Sequence, residues 1–131
     1  MTNAETRVRS ILGQLQDAVS AKDLVALSSL FDDDVVLFGT VAANMNRHET
    51  ISYLARVVAQ EGTVRWTWDT VVPLVDEPGL LVFAVVGTVG TVDSTGRPDG
   101  QRGGFRLTGV AVERDAVWRL SHFHGSVPEP E

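Results

Sequence analysis

The run LLVFAVVGTVGTV, Leu80 to Val92, is apolar at odd and even positions alike. Its β-branched content, with the turn residues DEPG before it and DSTGRPDGQRGG after it, predicts one long strand. Side chains alternate between the two faces of a sheet, so this strand offers apolar groups to both. An antiparallel sheet with two apolar faces must be covered twice. The 131 residues suit one domain. A chain of this length buries roughly two thirds of its extended surface, enough for a core without staples.

One cover is legible upstream. TNAE, Thr2 to Glu5, has capping-box spacing, and Val8, Ile11, Leu12, Leu15 and Val19 follow at helical intervals. A short helix follows SAKD, with Leu24, Leu27, Leu30 and Phe31 on one side. FDDDVVLFG then turns into a first strand, about Val35 to Phe38. Asn46 can cap a third helix, with Glu49 three residues on and an inner stripe of Ile51, Leu54, Ala55 and Val58. His48, one turn before Ile51, is expected to face inward. The fold class is α+β: three N-terminal helices packed on an antiparallel sheet. One domain spans residues 1–126, and SVPEPE leaves 127–131 as a frayed tail.

After Gly62 the period becomes that of strands. TVRWTWDTVVPLV alternates Val64, Trp66 and Trp68 against Arg65, Thr67 and Asp69. With DEPG as a four-residue loop, Trp68 lies opposite Gly87 and Thr70 opposite Val85. With Arg114–Asp115 as a two-residue loop, Trp118 lies opposite Ala111, Leu120 opposite Gly109 and His122 opposite Leu107. One face then carries Trp66, Trp68, Phe83, Val85, Leu107, Trp118, Leu120, His122 and His124, under the helices. The other carries Val82, Ala84, Val86, Val110, Val112 and Phe123. A second copy is expected to cover that face as a two-fold homodimer.

Composition narrows the partners. Seventeen acids against eleven bases give a net charge of −6, and Lys22 is the only lysine. The arginines are scattered, so no nucleic-acid surface is expected. No stretch approaches the roughly 18 apolar residues of a membrane helix, so no membrane partner is expected. The absence of cysteine excludes disulfides and thiolate chemistry. The polar, helical start lacks the apolar middle of a signal peptide, and a cytoplasmic location is expected.

The order of helices, FDDDVVLFG, and a meander ending in Trp118-x-x-x-His122-x-His124-x-Ser126 resemble the nuclear transport factor 2-like superfamily, most closely its SnoaL-like branch. The C-terminal half is also similar to the calcium/calmodulin-dependent kinase II association domain, on Asp93-x-x-Gly96-Arg97-Pro98, Trp118, His122, His124 and Ser126. The resemblance implies a cone of helices over a bent sheet, a pocket between them, and usually dimers. The acid, base and tyrosine of ketosteroid isomerase relatives fall by register on Thr108, Gly39 and Leu15, so that proton shuttle is not expected. The pocket arginines of the association-domain relatives fall on Gly87 and Gly109, so a carboxylate site is not expected either.

His122 and His124 point the same way along one strand. With His48 they could form a three-histidine zinc site, but the distant spacing of His48 argues against it, and neither metal nor cofactor is expected. A neutral imidazole in a cavity can act as a general base, so His122 and His124 are the candidate catalytic residues. Equally, both can simply hydrogen-bond and shape a wall. Asp32 to Asp34 read as a solvated turn. The glycine-rich TGRPDGQRGG lacks the strand-loop-helix setting of a phosphate cradle, and no serine lies in a GxSxG setting. The expected pocket is lined by Phe38, His48, Tyr53, Trp66, Trp68, Phe83, Leu107 and Trp118. The SnoaL-like resemblance implies a small, neutral, largely hydrophobic ligand, such as a polycyclic or terpenoid-like molecule, with lyase, isomerase or hydrolase chemistry as one outcome. A non-catalytic association module is the alternative.

Overall fold

The computed structural model describes residues 2–129. Helices α1 (Asn3–Ser20) and α2 (Leu24–Ser29) precede β1 (Phe31–Phe38) and the short β2 (Ala43–Asn44). Helix α3 (Arg47–Ala59) follows, then four long strands: β3 (Thr63–Glu77), β4 (Leu80–Val92), β5 (Gly103–Arg114) and β6 (Val117–Ser126). Each helix starts where a side chain accepts an orphan amide: Thr2 from Glu5, Asp23 from Ala26 and Asn46 from Glu49. Glu49 also accepts from the amide of Met45, the residue before the cap, at 2.8 Å. No helix among the described residues is long and apolar enough to cross a membrane.

The six strands form one curved sheet in the order β2-β1-β6-β5-β4-β3. It is mixed rather than antiparallel, because β1 runs parallel to β6. Parallel neighbours need a long crossover, and here the whole α3–β5 segment supplies it. The expected α1 stripe is buried in full, and with Leu27, Phe31 and Leu54 it packs on inner-face Leu81, Phe83, Val85, Leu107, Ala111 and Leu120.

Helix α1 also closes an edge. The outer flank of β3 would leave backbone groups unpaired, an invitation to foreign strands. Gln16 accepts from the Trp66 amide at 2.8 Å and donates to the Val64 carbonyl at 3.0 Å. Arg9 donates to the Trp68 carbonyl at 2.7 Å. Further along, Pro73 removes a donor outright.

Both hairpins differ from the sequence expectation. The β3–β4 loop is Pro78–Gly79, two residues rather than four, because Gly79 adopts φ 77°. Two bulges, at Asp69 and Leu74, restore the two residues, so Trp68 does lie opposite Gly87, while Thr70 faces Val86 instead of Val85. The β5–β6 loop is Asp115–Ala116, with φ of 53° and 64°. Moving the loop by one residue slips the register by two, so Leu120 faces Ala111 rather than Gly109 and Trp118 faces Glu113 rather than Ala111. A slip of two preserves faces, but an extra residue does not. Ser121 is such a residue, a bulge between the Leu120–Ala111 and His122–Val110 pairs. Beyond it Phe123 turns inward and is 8% exposed, whereas His122 and His124 turn to the outer face.

Candidate functional site

Between α1, α3 and the inner face of the sheet lies a cavity of about 200 Å³. It is lined by Leu15, Val19, Phe31, Leu37, Gly39, Thr40, Tyr53, Leu54, Val57, Val64, Trp66, Val89, Phe105, Phe123, Gly125 and Val127. No acid, imidazole, amine or guanidinium is among them, and Tyr53 is the one ionisable side chain. The aromatic wall is ordered by packing. Trp66 stacks on Trp68 with ring centres 5.5 Å apart and 16° between planes, and Phe105 leans on both at 6.3 Å. Trp68 therefore backs Trp66 without lining the cavity.

Glycines set the depth of the floor. A Cβ on Gly109 would come within 2.5 Å of the Phe83 ring, and one on Gly125 within 2.5 Å of the Phe105 ring. The two rings lie across their neighbouring strands at these positions, the cover that glycine in a strand permits. Phe83 thus fills the floor, fully buried, rather than lining the cavity. Gly87 has a different cause. The bulge at Asp69 brings the Thr67 carbonyl so close that a Cβ there would collide with it.

Of the ten expected site residues, only Tyr53 and Trp66 line this cavity. His48 is exposed, because Arg47 takes the inward place at the start of α3, donating to the carbonyls of Phe31 at 2.7 Å and Ser28 at 3.3 Å. Phe38 pairs with the outer face of β6, its ring edge-on to His122 at 5.5 Å and His124 at 5.4 Å. His122 Nδ1 lies 2.9 Å from the Val36 carbonyl. Leu107 is buried in the core, and Trp118 packs near the first turns of α1 with the Arg7 guanidinium 5.0 Å above its ring. The grouping of His48, His122 and His124 around one chamber is therefore corrected: two lie across the sheet from it and the third at the surface. Among the described residues no group of three His, Asp or Glu is placed to hold a metal.

Among the missed residues of β3 to β6 and the segment after it, two sets differ in the signal they leave. Val64, Val89 and Phe105 share the parity of residues read as inward, and strand alternation alone could have found them. Phe123, Gly125 and Val127 depend on the bulge at Ser121, which leaves no signal in the sequence. Val127 carries the wall one residue into the segment read as tail.

The capped helices, the mixed bent sheet and the apolar cavity between them are those of the nuclear transport factor 2-like class of α+β proteins. The sequence from 8 to 130 matches the SnoaL-like domain family, and the chain belongs to that family. No curated protein matches the sequence. Among solved structures, a candidate dehydratase of the nuclear transport factor 2-like family from Streptomyces avermitilis superposes with a TM-score of 0.81 at 15% identity, covering 98% of this chain and 100% of that one. A nuclear transport factor 2-like protein of unknown function from Pseudomonas putida KT2440 gives 0.79 at 18% identity, covering 99% and 90%. A candidate calcium/calmodulin-dependent protein kinase II association domain from Xanthomonas campestris gives 0.73 at 22% identity, covering 93% and 86%. At these identities the likeness shows the fold.

Proposed function

We propose that this protein binds a small, uncharged, mainly hydrophobic molecule in the cavity, and that the cavity performs no acid–base catalysis. The lining carries the reading: sixteen of the described residues, fifteen of them aliphatic, aromatic or glycine, with side-chain hydroxyls on Thr40 and Tyr53 alone. A charged ligand would be stripped of water there with no counter-ion, which is strongly unfavourable. Size narrows the class further. An apolar cavity of roughly 150 Å³ already admits benzene, and ligand pockets generally start near 300 Å³. About 200 Å³ fits one or two rings rather than a polycyclic skeleton. Dehydration, the reaction in the name of the Streptomyces avermitilis protein, generally uses a base to take a proton. Among the described residues the lining supplies none, and His122 and His124 lie on the opposite face of the sheet.

Calorimetric titration with indane tests the reading. The native protein is expected to bind it saturably, and Val57→Trp, which places an indole in the cavity, is expected to lose that binding while remaining folded. Equal binding by both, or none by the native protein, contradicts it.

A second reading concerns the outer face and is compatible with the first. Val72, Leu74 and Val86 are 45%, 58% and 57% exposed there, beside half-buried Val82, Ala84, Val110 and Val112. Apolar groups gathered on one sheet face favour association, and two copies meeting through it is our proposal. Val86→Asp is expected to convert a dimer to a monomer in sedimentation equilibrium. A monomeric native protein, or a dimer unaffected by the aspartate, removes the proposal.

A further inference from the structure

We propose that the bound molecule carries one neutral acceptor oxygen, as a ketone or ether, and that the Tyr53 hydroxyl donates to it at the β1 end of the cavity. This rests on the cavity being a binding site. The walls are not uniform along their length. Leu15, Val19, Trp66, Val89 and Phe105 enclose an apolar body, while the polar side chains, Thr40 and Tyr53, gather where the chain leaves β1. Tyr53 Oη lies 3.3 Å from the point where a Cβ on Gly39 would sit. A side chain at residue 39 would press on the hydroxyl, so glycine leaves the phenol its place at the rim.

The other polar groups of this corner are already committed. The Gly39 amide donates to the Ala42 carbonyl at 2.8 Å. Asn44 donates to the Leu37 carbonyl at 3.2 Å, Arg47 to the Phe31 carbonyl at 2.7 Å, and Thr50 to the Asn46 carbonyl at 2.8 Å. Thr40 is exposed at the mouth. Elsewhere in the wall the Trp66 indole N–H is buried without a partner, so at this corner the Tyr53 hydroxyl is the donor held beside the cavity. A phenol O–H seeks an acceptor, and a buried acceptor of the ligand must find a donor. With no basic side chain in the lining, that acceptor is uncharged rather than a carboxylate or phosphate. The ligand class is therefore a one- or two-ring hydrophobic molecule with a single carbonyl or ether oxygen.

The test compares indane with 1-indanone, which differ by the carbonyl, on native protein, Tyr53→Phe and Gly39→Ala. The affinity ratio of ketone to hydrocarbon is expected to fall about fivefold in Tyr53→Phe, the worth of one net hydrogen bond. Gly39→Ala, which crowds the hydroxyl without removing it, is expected to lower the ratio in the same direction. If indane binds all three proteins and the ratio stays constant, the role of Tyr53 is overturned while the cavity remains a binding site. If neither compound binds the native protein, the cavity reading falls, and this inference with it.

Discussion

Asp32 is 3% exposed within β1, held by the fork of Arg114, whose Nε and terminal nitrogen lie 3.0 and 3.4 Å from its two oxygens. Two parallel bonds to a buried carboxylate are the strong form of this pair, although the arginine side chain is 58% exposed and solvent weakens it. Arg114→Ala is expected to cost about 1–2 kcal/mol, read as a lower urea midpoint, because the carboxylate stays buried without its partner. No change in the midpoint would place the fork among inert surface pairs. Asp93 behaves differently. The Thr95 hydroxyl, then the amides of Arg97 and Thr95, hold its carboxyl below the ordinary aspartate value of 3.8. A depressed folded value means that the turn gains from the carboxylate at neutral pH and loses that gain only as pH falls through the lowered value. The carboxyl carbon of Asp93, followed by NMR, is expected to titrate below the usual range, and the Thr95 amide to shift with it. At this scale the sequence was most legible where chemistry is local: Thr2 and Asn46 cap their helices as expected, and Asp23, the last residue of SAKD, caps the second. It was least legible for His48, whose neighbour Arg47 reaches 16 residues back to Phe31 and sets the phase of the helix start.

Elements were legible as elements, and their relations less so. Amphipathic spacing marks the helices, and the change of period after Gly62 marks the strands. Parallel pairing of β1 with β6 is a contact between the two ends of the chain, which no local pattern encodes. The bulges at Asp69, Leu74 and Ser121 are equally silent, since an inserted residue follows the same composition as its strand. Yet Ser121 alone sends His122 and His124 to one side and Phe123 to the other. The packing of α1 along β3 gives a prediction at this scale. Gln16→Ala removes both partners of a strand edge, the Trp66 amide and the Val64 carbonyl. It is expected to cost about 1–2 kcal/mol and to speed hydrogen exchange at Trp66 more than at Val85 in the sheet interior. Unchanged exchange at Trp66 would mean that water replaces the amide without loss.

At the scale of the whole molecule, one sheet serves two surfaces. Its inner face, roofed by α1 and α3, forms the core around a cavity of about 200 Å³. Its outer face stays apolar and carries the two histidines beside Phe38. The two-sided hydrophobicity of the Leu80–Val92 run implied this division before any contact was known. The contents of the cavity were not implied, because its walls come from five strands and two helices, and the faces of two of those strands depend on the bulges. The most direct measurement is a methyl NMR titration with indane. Saturable shifts at Leu15, Val19, Val57 and Val89, with Val82 and Val110 unmoved, are the predicted result. Shifts confined to the outer-face methyls, or none that saturate, would contradict the assignment of this cavity as the binding site.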